Sequence, residues 1–480
     1  MHPDPRLRTD VSTAVALVRR TGSRGPVARS PAGRRKVSVT EPAQVSVTEP
    51  AQVSVTEPRK VSVTDPRTAG RPADGASDDS VPLWQSSFRP HTREGGPMTN
   101  LHNVLSDHVD TESLPGAVAL VARGDQVDVQ AVGHVDAERT APMARDTIFR
   151  VASITKPVVA AAVMMLVEDG RIALDDPVGT WLPELAAPMV VRTPDSPVDD
   201  VVPAARPITV FDLLTSRAGY GFPSDFSLPA VEPLVRELKQ GPPQPQAVPP
   251  TDQWMAALSR IPMLYQPGEA WLYNICSDIQ GVLIARVSGS SLPDFLAERL
   301  FEPLGMTDTA FAVPPAKLDR FTSYYRVDPM GALELADTPD GEWSTPPAFP
   351  SGAGGLVSTA DDYHAFARML LGRGATASGG RLLSAGSVER MSTNYLTPAQ
   401  RKAGGLFLEG MGWGFGGAVD VEAVEPWSVP GRYGWVGGTG TAMHITPSTG
   451  AVTIFLTQLQ MSGPSFPEPM RDFWAYAAGV

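Results

Sequence analysis

Residues 151–157, Val-Ala-Ser-Ile-Thr-Lys-Pro, run directly into ten apolar residues, Val158 to Val167, and the run ends at Glu-Asp-Gly. An apolar stretch of that length, too short for a membrane span, predicts a helix buried on every side. Pro157 has no backbone N–H and is tolerated only in a first turn, so the helix begins close to it and Ser153 lies in the turn leading in. At that place the Ser153 amide is free of the helical ladder, with the positive end of the helix dipole behind it, which suits a developing oxyanion. Lys156 follows three residues later and projects from the same face. A serine needs a base to take its proton, and burial lowers a lysine's pKa, so Lys156 is the candidate base.

The spacing alone does not separate a catalytic turn from an ordinary helix start. With 35 Ser and 6 Lys in 480 residues, chance supplies about 0.4 Ser-x-x-Lys pairs. Context adds information, because this pair is the only one in the chain and heads its longest apolar run.

Residues 37–68 hold four copies of an octapeptide, Val-Ser-Val-Thr-(Glu/Asp)-Pro plus two variable residues. Proline every eighth residue, without a large apolar side chain, cannot bury a core, so residues 1–97 are expected to be a disordered low-complexity arm. Met98 follows Arg-Glu-Gly-Gly-Pro, whose codons can spell a ribosome-binding sequence, so it is either an internal residue or the true start. The apolar stretch at 11–18 is followed at once by Arg19-Arg20 and lacks a small-residue cleavage site, so export is not indicated and a cytoplasmic location is expected.

Charge divides at the same point. Residues 1–97 carry 15 Lys and Arg against 10 Asp and Glu, a net of +5, and residues 98–480 carry 25 against 42, a net of −17. A body this acidic repels phosphate backbones, so nucleic acid is not an expected partner, and neither is a membrane. The single cysteine, Cys276, reads as a buried small hydrophobe, and no Cys/His cluster has zinc spacing. Neither metal nor cofactor is expected. The seven scattered histidines read as surface or hydrogen-bonded residues rather than catalysts.

From Met98 the pattern is that of a domain ending at 480. A short helix at 101–109 precedes a hairpin, 117–123 and 127–132 around Gly-Asp-Gln. Helices are expected at 174–182, 210–214, 254–258, 279–287 and 293–300, split by Pro-rich loops such as 241–250. A second hairpin at 442–446 and 451–458 and a closing helix at 467–478 end the chain. The two hairpins are expected to share one antiparallel sheet, with a helical lobe at roughly 170–345 inserted between them.

Several segments resemble the serine β-lactamase and penicillin-recognising family, particularly its class C-like members and family VIII esterases. They include Phe149-Arg-Val-Ala-Ser-Ile-Thr-Lys156, Ile208-Thr-Val-Phe-Asp-Leu-Leu-Thr-Ser-Arg-Ala-Gly219 and Pro267-Gly-Glu-Ala-Trp-Leu-Tyr-Asn274. Others are Phe301-Glu-Pro-Leu-Gly-Met306, the run from Ser351 to Tyr363, and Tyr433-Gly-Trp-Val-Gly-Gly438. The resemblance implies an α/β fold of the α+β type, with an antiparallel sheet flanked by helices. It further implies a small-molecule ester or amide substrate and an acyl-serine intermediate.

In the family's Tyr-x-Asn element Tyr273 matches the tyrosine, but Ile275 stands where Asn is expected. In place of Lys-Thr-Gly the chain has Trp435-Val436-Gly437, and the resemblance assigns the second oxyanion amide to Gly438 beside that of Ser153. Trp435, Gly437 and Ile275 are thereby expected at the substrate. Tyr220 and Phe222 either line the acyl pocket or fill the core. Ser277-Asp278-Ile279 only imitates Ser-Asp-Asn, so Asp278 reads as structural. Tyr273 beside a lysine ammonium is expected to have a lowered pKa and to titrate with Lys156.

Loss of the motif lysine and of the Asn favours a carboxylesterase over a lactamase or D-amino-acid-peptide hydrolase. A transacylase stays open, as does a catalytically silent binding protein. No Gly-x-Ser-x-Gly elbow exists, which argues against an α/β-hydrolase.

Overall fold

A computed structural model describes residues 100–479 apart from Glu112, Pro242 and Pro329. The expectations for the N-terminal arm and for Met98 lie outside the described residues.

Helix α1 (Leu101–Asp110) opens this part, with Asn100 as its cap accepting from the Asn103 amide. Strands β1 (Gly116–Arg123) and β2 (Gln126–Gly133) form the first hairpin, paired from Gly116↔Gly133 to Arg123↔Gln126 around a two-residue Gly-Asp turn. Gly124 there has φ 58°, as such turns require. Buried helix α2 (Thr155–Glu168) follows, and every residue from Thr155 to Leu166 is buried. Helix α3 (Ile275–Ser288) packs along it.

The last third of the chain supplies the rest of the sheet. After α4 (Ala360–Leu371) come β3 (Gly412–Trp413), β4 (Ala418–Val419), β5 (Tyr433–Gly437), β6 (Thr441–Thr446) and β7 (Ala451–Thr457). The order is β2-β1-β7-β6-β5-β4-β3, antiparallel throughout, with β1 joined to β7 in the register Ala117↔Thr457. The two hairpins therefore do share one sheet. Residues 116–122 of β1 are all buried, so both faces of the sheet are covered. Helix α4 packs on β6 and β7, and closing helix α5 (Glu468–Gly479) packs on β7 and α1.

Several expectations need correction. Residues 174–182 are not an α-helix: only a 3₁₀ turn forms at Val178–Thr180, because Pro177 carries no N–H and bridges to Thr209 instead. The helix expected from 293 is Leu292–Leu296, passing into a π-turn at Ala297–Phe301. Helix α3 starts at Ile275, four residues before the expected 279. Of the histidines, His364 and His444 are buried, and His364 Nε2 and His444 Nδ1 have no hydrogen-bond partner among the described residues. Burial lowers the pKa of both, which keeps these rings neutral. No helix among the described residues is long and apolar enough to cross a membrane.

Candidate active site

The turn before α2 is pinned from two sides. Phe149 and Arg150 pair with Val357 and Ser358, and the buried Arg150 guanidinium meets Asp337 at 2.6 Å. From the turn after β5, Thr439 Oγ1 donates to the Arg150 carbonyl, and from the first residue of β6, Thr441 Oγ1 donates to that of Val151. Between these anchors Ala152 is held at φ 44°, a left-handed conformation costing a residue with a Cβ about 1–2 kcal/mol. Residues 152–154 then form one 3₁₀ turn that leads into α2 and brings Ser153 to the edge of a cavity.

Gly437 makes this approach possible. A Cβ there would lie 2.4 Å from the Val151 carbonyl oxygen and 2.3 Å from Thr441 Oγ1, so β5 can press against the Ser153 turn only with glycine at this position. Gly437 is thus a packing residue and does not border the cavity as expected. Gly438 does border it, with open space where a Cβ would stand, and its carbonyl accepts from the Met461 amide.

Tyr273 reaches the serine from the opposite wall. Its N–H and C=O exchange 2.9 Å hydrogen bonds with those of Phe222, fixing the backbone. Its phenol oxygen donates to Ser153 Oγ at 2.8 Å and accepts from Trp435 Nε1 at 3.0 Å. Phe407 stacks on the Tyr273 ring with 4.6 Å between centroids. Burial pushes the Tyr273 pKa up, with the Ser153 and Trp435 hydrogen bonds working the other way. This reverses the expected lowering: removal of the phenol from water outweighs its polar partners, so Tyr273 carries its proton at neutral pH.

Lys156 is fully enclosed. Its Nζ donates to the Ala353 carbonyl at 2.7 Å and to Asn274 Oδ1 at 2.8 Å, and lies 3.5 Å from the Tyr273 oxygen. Burial lowers its pKa to about 7, with the Asp278 charge opposing that shift. The lysine therefore meets the serine through the phenol, which lies within reach of both.

The acceptor offered to Lys156 comes from a sharp bend. Asn274 sits at φ 84° and ψ −65°, with the Ile275 amide directed to the Tyr273 carbonyl at 3.3 Å. This is a γ-turn of the positive-φ kind, a sparsely populated conformation that costs of order 1–3 kcal/mol. It turns the Asn274 side chain onto the lysine one position earlier than the family pattern places an Asn. Ile275 consequently points into the core, fully buried, rather than at the substrate. Tyr220 is likewise a core residue outside the cavity lining, whereas Phe222 and Trp435 do line it.

Three polar groups escaped the sequence reading: Asn274, Gln240 and the Ala353 carbonyl. The adjacent Tyr-Asn pair was a visible signal for the first. Nothing in the spacing pointed to the other two, nor to Phe226 on a distant loop and Phe407 on the short helix Gly405–Leu408, which both face the cavity.

The cavity measures about 550 Å³, and none of the described residues lining it has a charged side chain. Its outer walls are Phe222, Phe226, Val235, Phe407, Met461 and Pro464. Ser153, Tyr273, Trp435 and Gly438 meet at its polar edge. Among the described residues no cluster of His, Cys, Asp and Glu is arranged to hold a metal ion.

Protein Rv1367c of Mycobacterium tuberculosis is 38% identical over 359 residues, covering 73% of this chain and 87% of that protein. Lovastatin esterase of Penicillium rubens is 31% identical over 356 residues, 69% of this chain and 85% of the esterase. The unliganded structure of Simvastatin Synthase from Aspergillus terreus superposes with a TM-score of 0.63 at 23% identity, covering 78% of this chain and 94% of that one, a likeness of fold. Esterases and acyltransferases both occur among the relatives. A family model described as Beta-lactamase matches residues 101–472, so the chain belongs to the Beta-lactamase family, whose penicillin-binding-protein-like fold it shares.

Proposed function

We propose that this protein is a serine carboxylesterase acting through an acyl-serine intermediate on uncharged, largely apolar esters. The observation that carries the reading is the 2.8 Å contact from the Tyr273 phenol to Ser153 Oγ, at the edge of a cavity lined without charge. Neutral Lys156 accepts the phenol proton as Tyr273 takes that of Ser153, and Ser153 Oγ attacks the ester carbon. The carbonyl oxygen becomes an oxyanion between the backbone amides of Ser153 and Gly438. As the intermediate collapses, Tyr273 returns a proton to the departing alkoxide, leaving the acyl group on Ser153. Water, activated by the same phenol and lysine, then releases the acid and restores the serine.

A β-lactam presents a carboxylate, and the family meets it with the lysine that Trp435 replaces here. Among the described residues no charged side chain lines this cavity to take over that role. Esters also ask less of the acid, since an alkoxide departs more readily than an amine that must be protonated. The cavity volume leaves room for an alcohol beside a short acyl chain, so acyl transfer becomes the outcome wherever such an alcohol outcompetes water.

The test is labelling with a fluorophosphonate, followed by kcat/KM for p-nitrophenyl butyrate and nitrocefin side by side. Labelling lost in Ser153→Ala, with butyrate preferred, is expected. A wild-type protein that takes no label leaves only a binding protein on this scaffold, and a preference for nitrocefin makes it a lactamase.

A further inference from the structure

Asp278 reads from the sequence as structural, yet it lies one amide chain away from the lysine. The carboxylate is 1% exposed and takes three donors: Ser351 Oγ at 2.6 Å, Gln240 Nε2 at 2.9 Å and the Ala353 amide at 3.0 Å. From it two arms run to Lys156. In one, Gln240 Oε1 accepts from Asn274 Nδ2 at 2.6 Å, and Asn274 Oδ1 accepts from Lys156 Nζ. In the other, Ala353 gives its N–H to Asp278 and its C=O to the lysine.

A carboxylate only accepts, whereas a side-chain amide has a donor end and an acceptor end. Asp278 therefore compels Gln240 to turn its NH₂ inward and its oxygen toward Asn274. Asn274 must in turn give its NH₂ to Gln240 and its oxygen to the lysine. Each amide orientation follows from the one before, and the series ends with an acceptor facing Nζ. We infer that Asp278 is a positioning residue for the reaction proposed above: acting through Gln240 and Asn274, it fixes the polarity of the group that faces Lys156.

In Asp278→Asn the direction is no longer compelled. The introduced amide can present oxygen or nitrogen to Gln240, both later amides can reverse, and Asn274 can offer Lys156 a donor. Only the neutral amine accepts from a donor, so the reversed chain favours deprotonated Lys156. Loss of the Asp278 charge pushes the same way.

The other titratable groups on elements around Lys156 do not compete. Tyr273, Cys276 on α3, Tyr363 on α4 and Tyr433 on β5 are all pushed up by burial, so each is neutral near pH 7. Tyr363 donates to the Ile154 carbonyl and Tyr433 to that of Phe415. Arg286, at the far end of α3, pairs with Glu184, and Glu389 and Arg390 on the helix Ala385–Met391 are exposed. Burial also raises the Asp278 pKa, against its three donors and Lys156. The three donors at 2.6–3.0 Å offset that burial in favour of the ionised form.

The chain has only 6 lysines, so the titration of Lys156 can be followed directly by carbon NMR of protein labelled at lysine Cε, with the signal assigned by its absence in Lys156→Met. The midpoint is expected near pH 7 in the wild type and lower by about one unit in Asp278→Asn. Gln240→Leu leaves Asp278 with Ser351 and Ala353 but cuts the amide chain, and a smaller downward shift is expected. It also serves as the test should Asp278→Asn fail to fold. A wild-type midpoint in either folded variant overturns the inference, because a purely structural aspartate changes stability without moving the lysine. Fluorophosphonate labelling of the same wild-type sample keeps the two claims apart: an unlabelled Ser153 overturns the esterase proposal, whereas the NMR midpoints report on the amide chain alone.

Discussion

The two sides of the cavity follow opposite physical rules. The inner side is a polar network of Lys156, Asn274, Gln240, Asp278 and Ser351, joined by hydrogen bonds of 2.6–2.9 Å. The outer side is apolar and open: Phe226 and Val235 stay 51% and 47% exposed although they line the same space. Buried polar groups are costly when misplaced, so the inner side tolerates little change. The outer side makes non-directional contacts, so it can select a substrate by size without disturbing the chemistry. Under the proposed function, that difference makes the inner side the determinant of rate and the outer side the determinant of specificity.

The sharpest way to break that assignment is to remove the proton carriers. Lys156→Ala and Tyr273→Phe are each expected to lower turnover by at least about 10²-fold, with little change in the circular dichroism spectrum. Near-native rates in a folded variant would remove that residue from its role. The pH profile sharpens the point. Since the proposed base is Lys156 in its neutral form and burial lowers its pKa to about 7, kcat/KM should fall as pH drops through about 7 and hold above it. A profile flat from pH 5 to 8 would show that another group supplies the base.

Trp435 belongs to both sides, with its ring on the cavity and its Nε1 on the Tyr273 oxygen. Trp435→Phe keeps most of the apolar face and deletes one hydrogen bond, one that strengthens as the phenol gives up its proton. A loss of about 10-fold, carried by kcat with KM nearly constant, is expected. A change confined to KM would make Trp435 a substrate contact only.

The smallest effect belongs to the outer side. Phe226→Ala is expected to raise KM for long-chain esters by roughly 5-fold, from lost apolar contact, and to leave acetate esters unchanged. An equal loss for both chain lengths would mean that Phe226 supports the catalytic side through its stacking on Phe222.

The order of elements was legible because it rests on local patterns. The buried helix announced itself by ten apolar residues, and the first hairpin by β-rich runs flanking Gly124-Asp125. Ser153 and Lys156 were readable because both sit within one turn of a proline-marked helix start, where three-residue spacing decides direction. The helix expected at 174–182 failed because Pro177 found a partner in Thr209, a contact between separate stretches of chain. The Tyr273 reading failed for a related reason: proximity to a lysine was foreseeable, but the burial that outweighs the phenol's polar partners was not.

Residue order was enough to locate the turn that carries Ser153, the tyrosine that reaches it, the sheet made from two distant hairpins and the family to which the chain belongs. It took the folded chain to show that Asn274, rather than residue 275, faces the lysine, because that depends on a positive-φ bend no spacing rule encodes. The same holds for Gly437, which packs while Gly438 faces the cavity, and for Asp278, which heads an amide chain ending at Lys156. Periodicity and local turns are properties of neighbouring residues. The polarity of a buried hydrogen-bond network is fixed by residues 240, 274, 278, 351 and 353 meeting in space, and their separation along the chain carries no trace of that meeting.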